Sequence, residues 1–218
     1  MTPTKHTIVH VVRHGEVFNP EGVLYGRLPD YHLSDLGVKM AERVAESFAG
    51  HDVAAVVSSP LERAQETAAP IAVAFDLTIS IDHRMIEAGN HFEGKTFGVG
   101  DGSLRKPAHW PYLWNPFRPS WGEPFSEIAD RMLAAVGAAR DLAPGREIVC
   151  VSHQSPIWLL RRKVEGEHLW HDPRKRQCGL ASITSIRYEG EKIRGLSYRE
   201  PAADLVPVKP GKGFTAGA

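Results

Sequence analysis

The run IVHVV, residues 8–12, is dominated by β-branched residues and stops directly at Arg13-His14-Gly15. A short continuous apolar run of this kind reads as a strand buried on both faces, and such strands belong to parallel sheets covered by helices. In an open parallel sheet the carboxyl ends of the strands share one edge, where ligands bind. The run therefore constrains both the fold and the location of any site. Three further runs, VAAVVS (53–58), LTISI (77–81) and EIVCVS (147–152), alternate with helix-like segments. Leu36, Met40, Val44 and Phe48 recur every fourth residue, with Ser34 placed to cap and Gly50 to stop, which predicts a helix over about 35–49. Segment 60–75, opening on Pro60, and segment 125–142, with Ile128, Met132, Ala135, Val136 and Ala139 on one side, predict two more. Ser155-Pro156 reads as the cap and first-turn proline of a fourth. The late runs LASITSIRYEG and KIRGLSYRE predict a hairpin at a sheet edge, an edge that would also be available to a homodimer. The alternation predicts an α/β sheet with helices on both faces.

Composition narrows the function. With 218 residues, 42% hydrophobic and 24% charged, the chain suits one domain with a full core. Lys plus Arg and Asp plus Glu both total 26, so no global field favours nucleic acid or an anionic membrane, and any anion site must be built locally. No apolar run approaches the roughly 18 residues of a membrane span, and no leader pattern is visible, so a soluble, cytoplasmic protein is expected. Cys150 and Cys178 form neither a disulfide framework nor a metal pair and read as inert. Segment 99–125 breaks the alternation: it holds three of the five tryptophans and five of the sixteen prolines, and reads as an insertion or lid. The tail 201–218 is rich in Pro and Gly and reads as disorder or a surface strap.

Three strand ends carry the chemistry. The first ends in Arg13-His14-Gly15, the second runs through Ser59-Pro60 to Arg63, and EIVCVS ends in His153. Arg63 falls in a first helical turn, where free N–H groups already favour anions. Two guanidiniums, two imidazoles and a helix N-terminus at one edge suit a small multivalent anion, and phosphate matches the arginine fork.

The motifs VVRHGE, LSDLG, VVSSPLERAQETA, IEAGNHFEG and VSHQSPI come in an order and spacing that resembles the histidine phosphatase superfamily, which includes cofactor-dependent phosphoglycerate mutases. The resemblance covers roughly residues 8–165. It implies a phosphoglycerate mutase-like three-layer αβα sandwich with a mainly parallel sheet, and a phosphohistidine mechanism with no metal and no cofactor. It also implies His14 as nucleophile, Arg13, Arg63 and His153 as the phosphate pocket, and Glu87 as general acid. Asn19, Arg27 and Gln154 are the further phosphate or substrate contacts it suggests. Several positions depart from the pattern. Val17 stands where Ser or Thr is usual, Asn19 comes one position early, and Arg27 lies on the far side of Gly26. The glutamate loop is one residue short, which leaves Glu93 as an alternative acid. His32, His51, His83 and His109 carry no motif and read as surface or capping residues.

These residues predict a phosphomonoesterase acting on a small phosphorylated metabolite. A phosphoglycerate mutase is the alternative, but it needs extra cations for the substrate carboxylate. The adjacent arginine pair that the resemblance implies for this role in mutases is not found between Glu87 and His153, where Arg105-Lys106 and Arg118 stand scattered among prolines and tryptophans, and those aromatics better suit an apolar or ring-bearing substrate. A non-catalytic phosphate-binding module would lack one of the five residues, and none is missing. A metallohydrolase lacks its ligand cluster at the strand ends, and a cysteine phosphatase lacks an arginine six positions after either cysteine.

Overall fold

The structure is a computed structural model and describes residues 6–96 and 122–206. Six strands form one sheet: β1 (Thr7–Arg13), β2 (Val53–Ser58), β3 (Ile79–Ile81), β4 (Glu147–Ser152), β5 (Ile183–Glu189) and β6 (Lys192–Arg199). Their order is β3-β2-β4-β1-β5-β6. The first four are mutually parallel, while β5 runs antiparallel to β1 and β6 antiparallel to β5. The expected hairpin turns at Gly190, in the left-handed region at φ 57°.

Helices cover both faces, because alternate strand residues are apolar on either side. Val12, Val56, Val149 and Val151 pack with Met40 and Val44 of α1 (Asp35–Glu46), Phe48 of the turn that follows it, and Ala64, Ala68 and Ile71 of α2 (Glu62–Ala74). On the other face Val9, Val11, Ile148 and Cys150 meet Met132, Val136, Ile157 and Leu160 of α3 (Phe125–Leu142) and α4 (Gln154–Val164). Each fully buried aliphatic side chain contributes about 1.5–3 kcal/mol of transfer free energy. Cys150 and Cys178 are both buried, and burial pushes both thiols upward.

The element ends differ from the sequence reading for local reasons. Ser34 caps α1 by accepting from Gly37 N, but the regular helix closes at Glu46, and residues 47–49 tighten into i−3 bonds before Gly50 at φ 81°. Pro60 lies outside α2, which Leu61 opens, and Pro70 sits inside it. Asp76, at φ 53°, turns the chain, and Leu77 N bonds Ala72 O, so β3 begins only at Ile79. Helix α4 starts two residues earlier than expected, with His153 rather than Ser155 at its N-cap. Most of the expected insertion lies outside the described residues, but Phe125 opens α3. Of the tail, Ala202 is buried and Asp204 accepts from Arg43. Among the described residues no helix is long and apolar enough to cross a membrane.

Candidate active site

Backbone bonds extend the sheet past its strands and gather three loops. Arg13 N bonds Ser182 O, His14 N bonds Ser152 O, and Ser59 N bonds Val151 O. The turn after β1 is held by a close approach that only glycine permits: a Cβ on Gly15 would stand 2.6 Å from Gly37 O, and one on Gly37 would stand 2.0 Å from Glu16 O. Thr67 of α2 ties this turn down, accepting from Gly15 N at 3.1 Å while donating to Arg63 O at 2.7 Å.

His14, Arg63 and His153 are fully buried, and Arg13 and Glu87 nearly so. The His14 and His153 ring centroids are 5.1 Å apart. His14 Nδ1 lies 2.8 Å from Gly15 O. A carbonyl can only accept, so Nδ1 carries the proton and Nε2 keeps the lone pair. Burial first, then Arg63 and Arg13, hold the His14 imidazole well below its ordinary range, and it is neutral. His153 is likewise held neutral by burial, then Arg63, His14 and Arg13. Its Nε2 meets Ser59 Oγ at 2.7 Å.

The cations are oriented from outside the pocket. Arg13 Nη1 donates to Cys178 O at 2.7 Å and Arg63 Nη2 to Gly26 O at 2.6 Å, while the Arg63 guanidinium lies 4.7 Å over the Tyr25 ring. Among the described residues no carboxylate pairs with either arginine. Arg13 Nε, His14 Nε2, Arg63 Nε and Nη1, His153 Nδ1 and Glu87 Oε2 are buried without a hydrogen-bond partner. Leaving a buried polar atom unpaired costs about 1–3 kcal/mol, and the arginine nitrogens and a protonated His153 Nδ1 are donors that an oxyanion ligand would pair.

Glu87 is placed by its main chain. Its Oε1 accepts from Ala88 N at 2.7 Å, and its carbonyl accepts from Arg27 Nε at 2.7 Å and Arg131 Nη2 at 3.3 Å. Glu123, from the segment read as a lid, bridges the two arginines: it takes Arg27 Nη2 at 2.7 Å and Arg131 Nε at 2.8 Å. Ser152 Oγ donates to Met85 O at 2.7 Å and joins this loop to the end of β4.

Asn19 closes on its own loop, with Nδ2 donating to Val23 O at 2.8 Å and Oδ1 accepting from Val23 N at 3.0 Å. Arg27 donates from Nε to Glu87 O and from Nη2 to Glu123 Oε2. Gln154 stands beside His153, its Nε2 3.4 Å from Cys178 O. Glu93 accepts from Asn90 N at 3.1 Å. Arg131, Glu123 and Tyr25 escaped the sequence reading, since none carries a periodic or motif signal of its own, and Thr67, though inside the VVSSPLERAQETA motif, was given no role there.

A different cluster lies at the amino ends of the strands. Glu147 Oε2 accepts from His10 Nε2 at 2.9 Å and from His51 Nδ1 at 2.6 Å, and His10 Nδ1 meets Ser185 Oγ at 2.7 Å. His51 is thus partnered, contrary to its reading as an unremarkable surface residue, and His32 pairs with Glu66. One ligand atom from each of His10, His51 and Glu147 lies within 4.8 Å of the others, a set that could hold a metal ion.

A three-layer fold with two arginines and two neutral imidazoles at one strand edge defines a phosphate-handling class of protein. The chain belongs to the histidine phosphatase superfamily: residues 9–201 match the model of its branch 1. It is 55% identical over 199 residues to an uncharacterized protein, Rv0525, of Mycobacterium tuberculosis, covering 91% of this chain and 98% of that one. It is 36% identical over 214 residues to a 2,3-bisphosphoglycerate-dependent phosphoglycerate mutase of Thermoplasma acidophilum, covering 97% and 92%. Its fold also matches a phosphoserine phosphatase of Entamoeba histolytica solved with 3-phosphoglyceric acid, with a TM-score of 0.68 and 25% identity, over 83% of this chain and 90% of that one.

Proposed function

We propose that the chain is a phosphomonoesterase that hydrolyses a small phosphorylated metabolite through a phosphohistidine at His14. The observation that carries this reading is the His14–Gly15 hydrogen bond, which leaves an unprotonated, buried Nε2 among cations. In the first step Nε2 attacks phosphorus and the ester P–O bond breaks. Its electron pair goes to the leaving oxygen, which takes the proton of the Glu87 carboxyl group. Arg13 and Arg63, with a proton on His153 Nδ1, neutralise the charge spread over the transferring oxygens. In the second step water attacks phosphorus, the Glu87 carboxylate takes its proton, and the N–P electrons return to Nε2. The positive charge in this scheme comes from side chains, so activity is expected to survive chelation.

The mutase reading is favoured by one observation, the likeness to the Thermoplasma acidophilum enzyme over nearly the whole chain. A screen of small phosphomonoesters run beside a mutase assay separates the two readings, since only hydrolysis releases inorganic phosphate. Glu87→Gln is expected to slow alkyl phosphates by about a hundredfold or more and p-nitrophenyl phosphate less, because nitrophenolate departs without a proton. Equal losses on both substrates would remove the acid role from Glu87. A leaving-group-dependent loss in Glu93→Gln would move it there.

A further inference from the structure

The histidine cluster at the amino ends of the strands draws its members from three neighbours in the sheet. His10 stands in β1, Glu147 is the first residue of β4, and His51 lies in the loop that leads into β2; these strands are ordered β2-β4-β1. Ile8 is paired with Glu147 and side chains alternate along a strand, so His10 and Glu147 project from the same face. The loop is pinned beside them: Glu147 N donates to Asp52 O at 3.1 Å, and His51 N donates to Phe48 O at 2.9 Å. Both imidazoles then converge on one atom, Glu147 Oε2, from His10 Nε2 at 2.9 Å and His51 Nδ1 at 2.6 Å. One such bond would suffice to join two strands. Two imidazole nitrogens meeting at one carboxylate oxygen are the donor set of an imidazole-rich metal site.

The remaining requirements of such a site are spacing, outer support and a way in. Ligand atoms about 2.0–2.1 Å from a tetrahedral ion stand about 3.3 Å from one another. One ligand atom from each of the three residues lies within 4.8 Å of the others, so rotation of side chains alone brings the set to that spacing. To bind an ion, each imidazole must present a lone pair where it now donates, and its proton moves to the other ring nitrogen by exchange with water. For His10 that nitrogen is Nδ1, which faces Ser185 Oγ at 2.7 Å, and a hydroxyl can accept as well as donate. His51 is half-buried and can turn its proton to water. Buried Phe48 packs edge-on against both rings, with centroids 5.0 and 5.5 Å away. A groove of about 520 Å³, lined also by Ile8, Ser197 and Arg199, opens on the two histidines.

We propose that His10, His51 and Glu147 bind one divalent transition-metal ion of the zinc type, with a water or small anion from the groove as fourth ligand. Imidazole nitrogens select such ions over magnesium and calcium, which take oxygen ligands. Charge points the same way. Arg199, in the groove wall, interacts electrostatically with His10 and Glu147 and offsets the single carboxylate, so a hard cation held mainly by charge gains little here. The site lies about 13 Å from His14 along the strand direction and takes no part in phosphoryl transfer. An ion held there ties the starts of three adjacent strands and favours the folded chain. The proposal stands whether the pocket at the other end hydrolyses or transfers phosphate.

The test uses the full chain freed of metal by chelation, with Zn²⁺ and Mg²⁺ as probes and competition with a metal indicator dye as the measurement. Wild type is expected to take up one Zn²⁺ with a micromolar or tighter Kd, and to bind Mg²⁺ at least about a hundredfold more weakly. His10→Asn, His51→Ala and Glu147→Gln each remove a ligand and are expected to weaken Zn²⁺ binding by at least about a hundredfold. His14→Asn, which removes an imidazole from the phosphate pocket, should keep the wild-type Kd. Zn²⁺ should also raise the thermal midpoint of wild type and leave that of His51→Ala where it was, because the ion binds only the folded site. Should His10→Asn or Glu147→Gln fail to fold, His51→Ala carries the test, since His51 is half-buried in a loop. The absence of saturable Zn²⁺ uptake by wild type overturns the proposal, as does a wild-type Kd in any folded ligand variant. Uptake lost in His14→Asn overturns it too, by placing the ion in the phosphate pocket. Mg²⁺ bound as tightly as Zn²⁺ overturns the choice of metal.

Discussion

Two pairs of histidines occupy opposite ends of the same parallel strands, and they differ in what they face. His10 and His14 lie four residues apart along β1 and the turn that follows it, and both are buried. His10 and His51 share the carboxylate of Glu147, whereas His14 and His153 have arginines around them and no acid as hydrogen-bond partner. Burial pushes Glu147 up, but the hydrogen bonds from His51 and His10 outweigh it and hold the carboxylate below its usual range. Burial lowers His10, and Glu147 raises it in part. At the carboxyl ends no carboxylate offsets burial, the arginines deepen its effect, and only the Gly15 carbonyl works against it at His14. The same residue type is thus a hydrogen-bonded structural link at one end and carries an unpaired lone pair at the other, on His14 Nε2.

The sharpest way to break this comparison is to remove one imidazole from each end. His14→Asn is expected to lower kcat by at least about a thousandfold, since the nucleophile is lost. His10→Asn should leave kcat within a few fold of wild type while costing about 1–3 kcal/mol in denaturant unfolding, through its lost bonds to Glu147 and Ser185. Comparable activity losses in the two variants would show that the ends do not divide function from structure.

A smaller effect is expected from Gly37→Ala. Helix propensity alone would favour alanine by about 1 kcal/mol, but the new Cβ would stand 2.0 Å from Glu16 O and displace the turn that carries His14. A shift of about 1 Å in a catalytic group costs on the order of a hundredfold in rate. A kcat/KM measurement showing Gly37→Ala equal to wild type would mean that the turn can yield without moving the imidazole.

The smallest effect is on pH dependence. His14 and His153 bind protons more weakly folded than unfolded, so the unfolded chain takes up more protons as pH falls below about 6.5, and stability drops through that window. Substituting His14 should flatten the fall in thermal midpoint between about pH 6.5 and pH 5. Saturating inorganic phosphate should raise the wild-type midpoint, by about 2.7 kcal/mol of stability at a hundred times its Kd. An unchanged slope in the His14 variant would place the acid sensitivity elsewhere, His10 being the next group to examine.

What the sequence disclosed follows from periodicity. The runs that name β1, β2 and β4 also name the residues at their tips, so Arg13, His14, Arg63 and His153 could be assigned to one edge before any coordinates. Residues whose roles arise from encounters across the fold were not legible. Glu123 and Arg131 meet Arg27 only because three loops converge at Glu87, and Arg176 meets His171 only through a loop conformation that no pattern marks. The partners of Asn19 were not legible either, because a motif position does not reveal where an amide turns, and here it closes on Val23. Ser155 was read as a cap, but the helix opens before it and its hydroxyl accepts from Arg176 instead.

The position of β1 in the sheet has a consequence for biosynthesis. Its neighbours are β4, some 140 residues later in the chain, and β5, some 175 residues later. A nascent chain that has displayed His14, Arg63 and even Glu87 outside the ribosome still lacks both flanks of the strand that leads into His14. Long-range pairing of this kind forms late and slowly, and until it forms β1 is an exposed apolar edge. Assembly of the pocket is therefore deferred to the end of translation. A chain truncated before Ser182 would leave β1 unpaired on one side and Arg13 N without its Ser182 partner, with the pocket residues all present and nothing on that side to hold them in register.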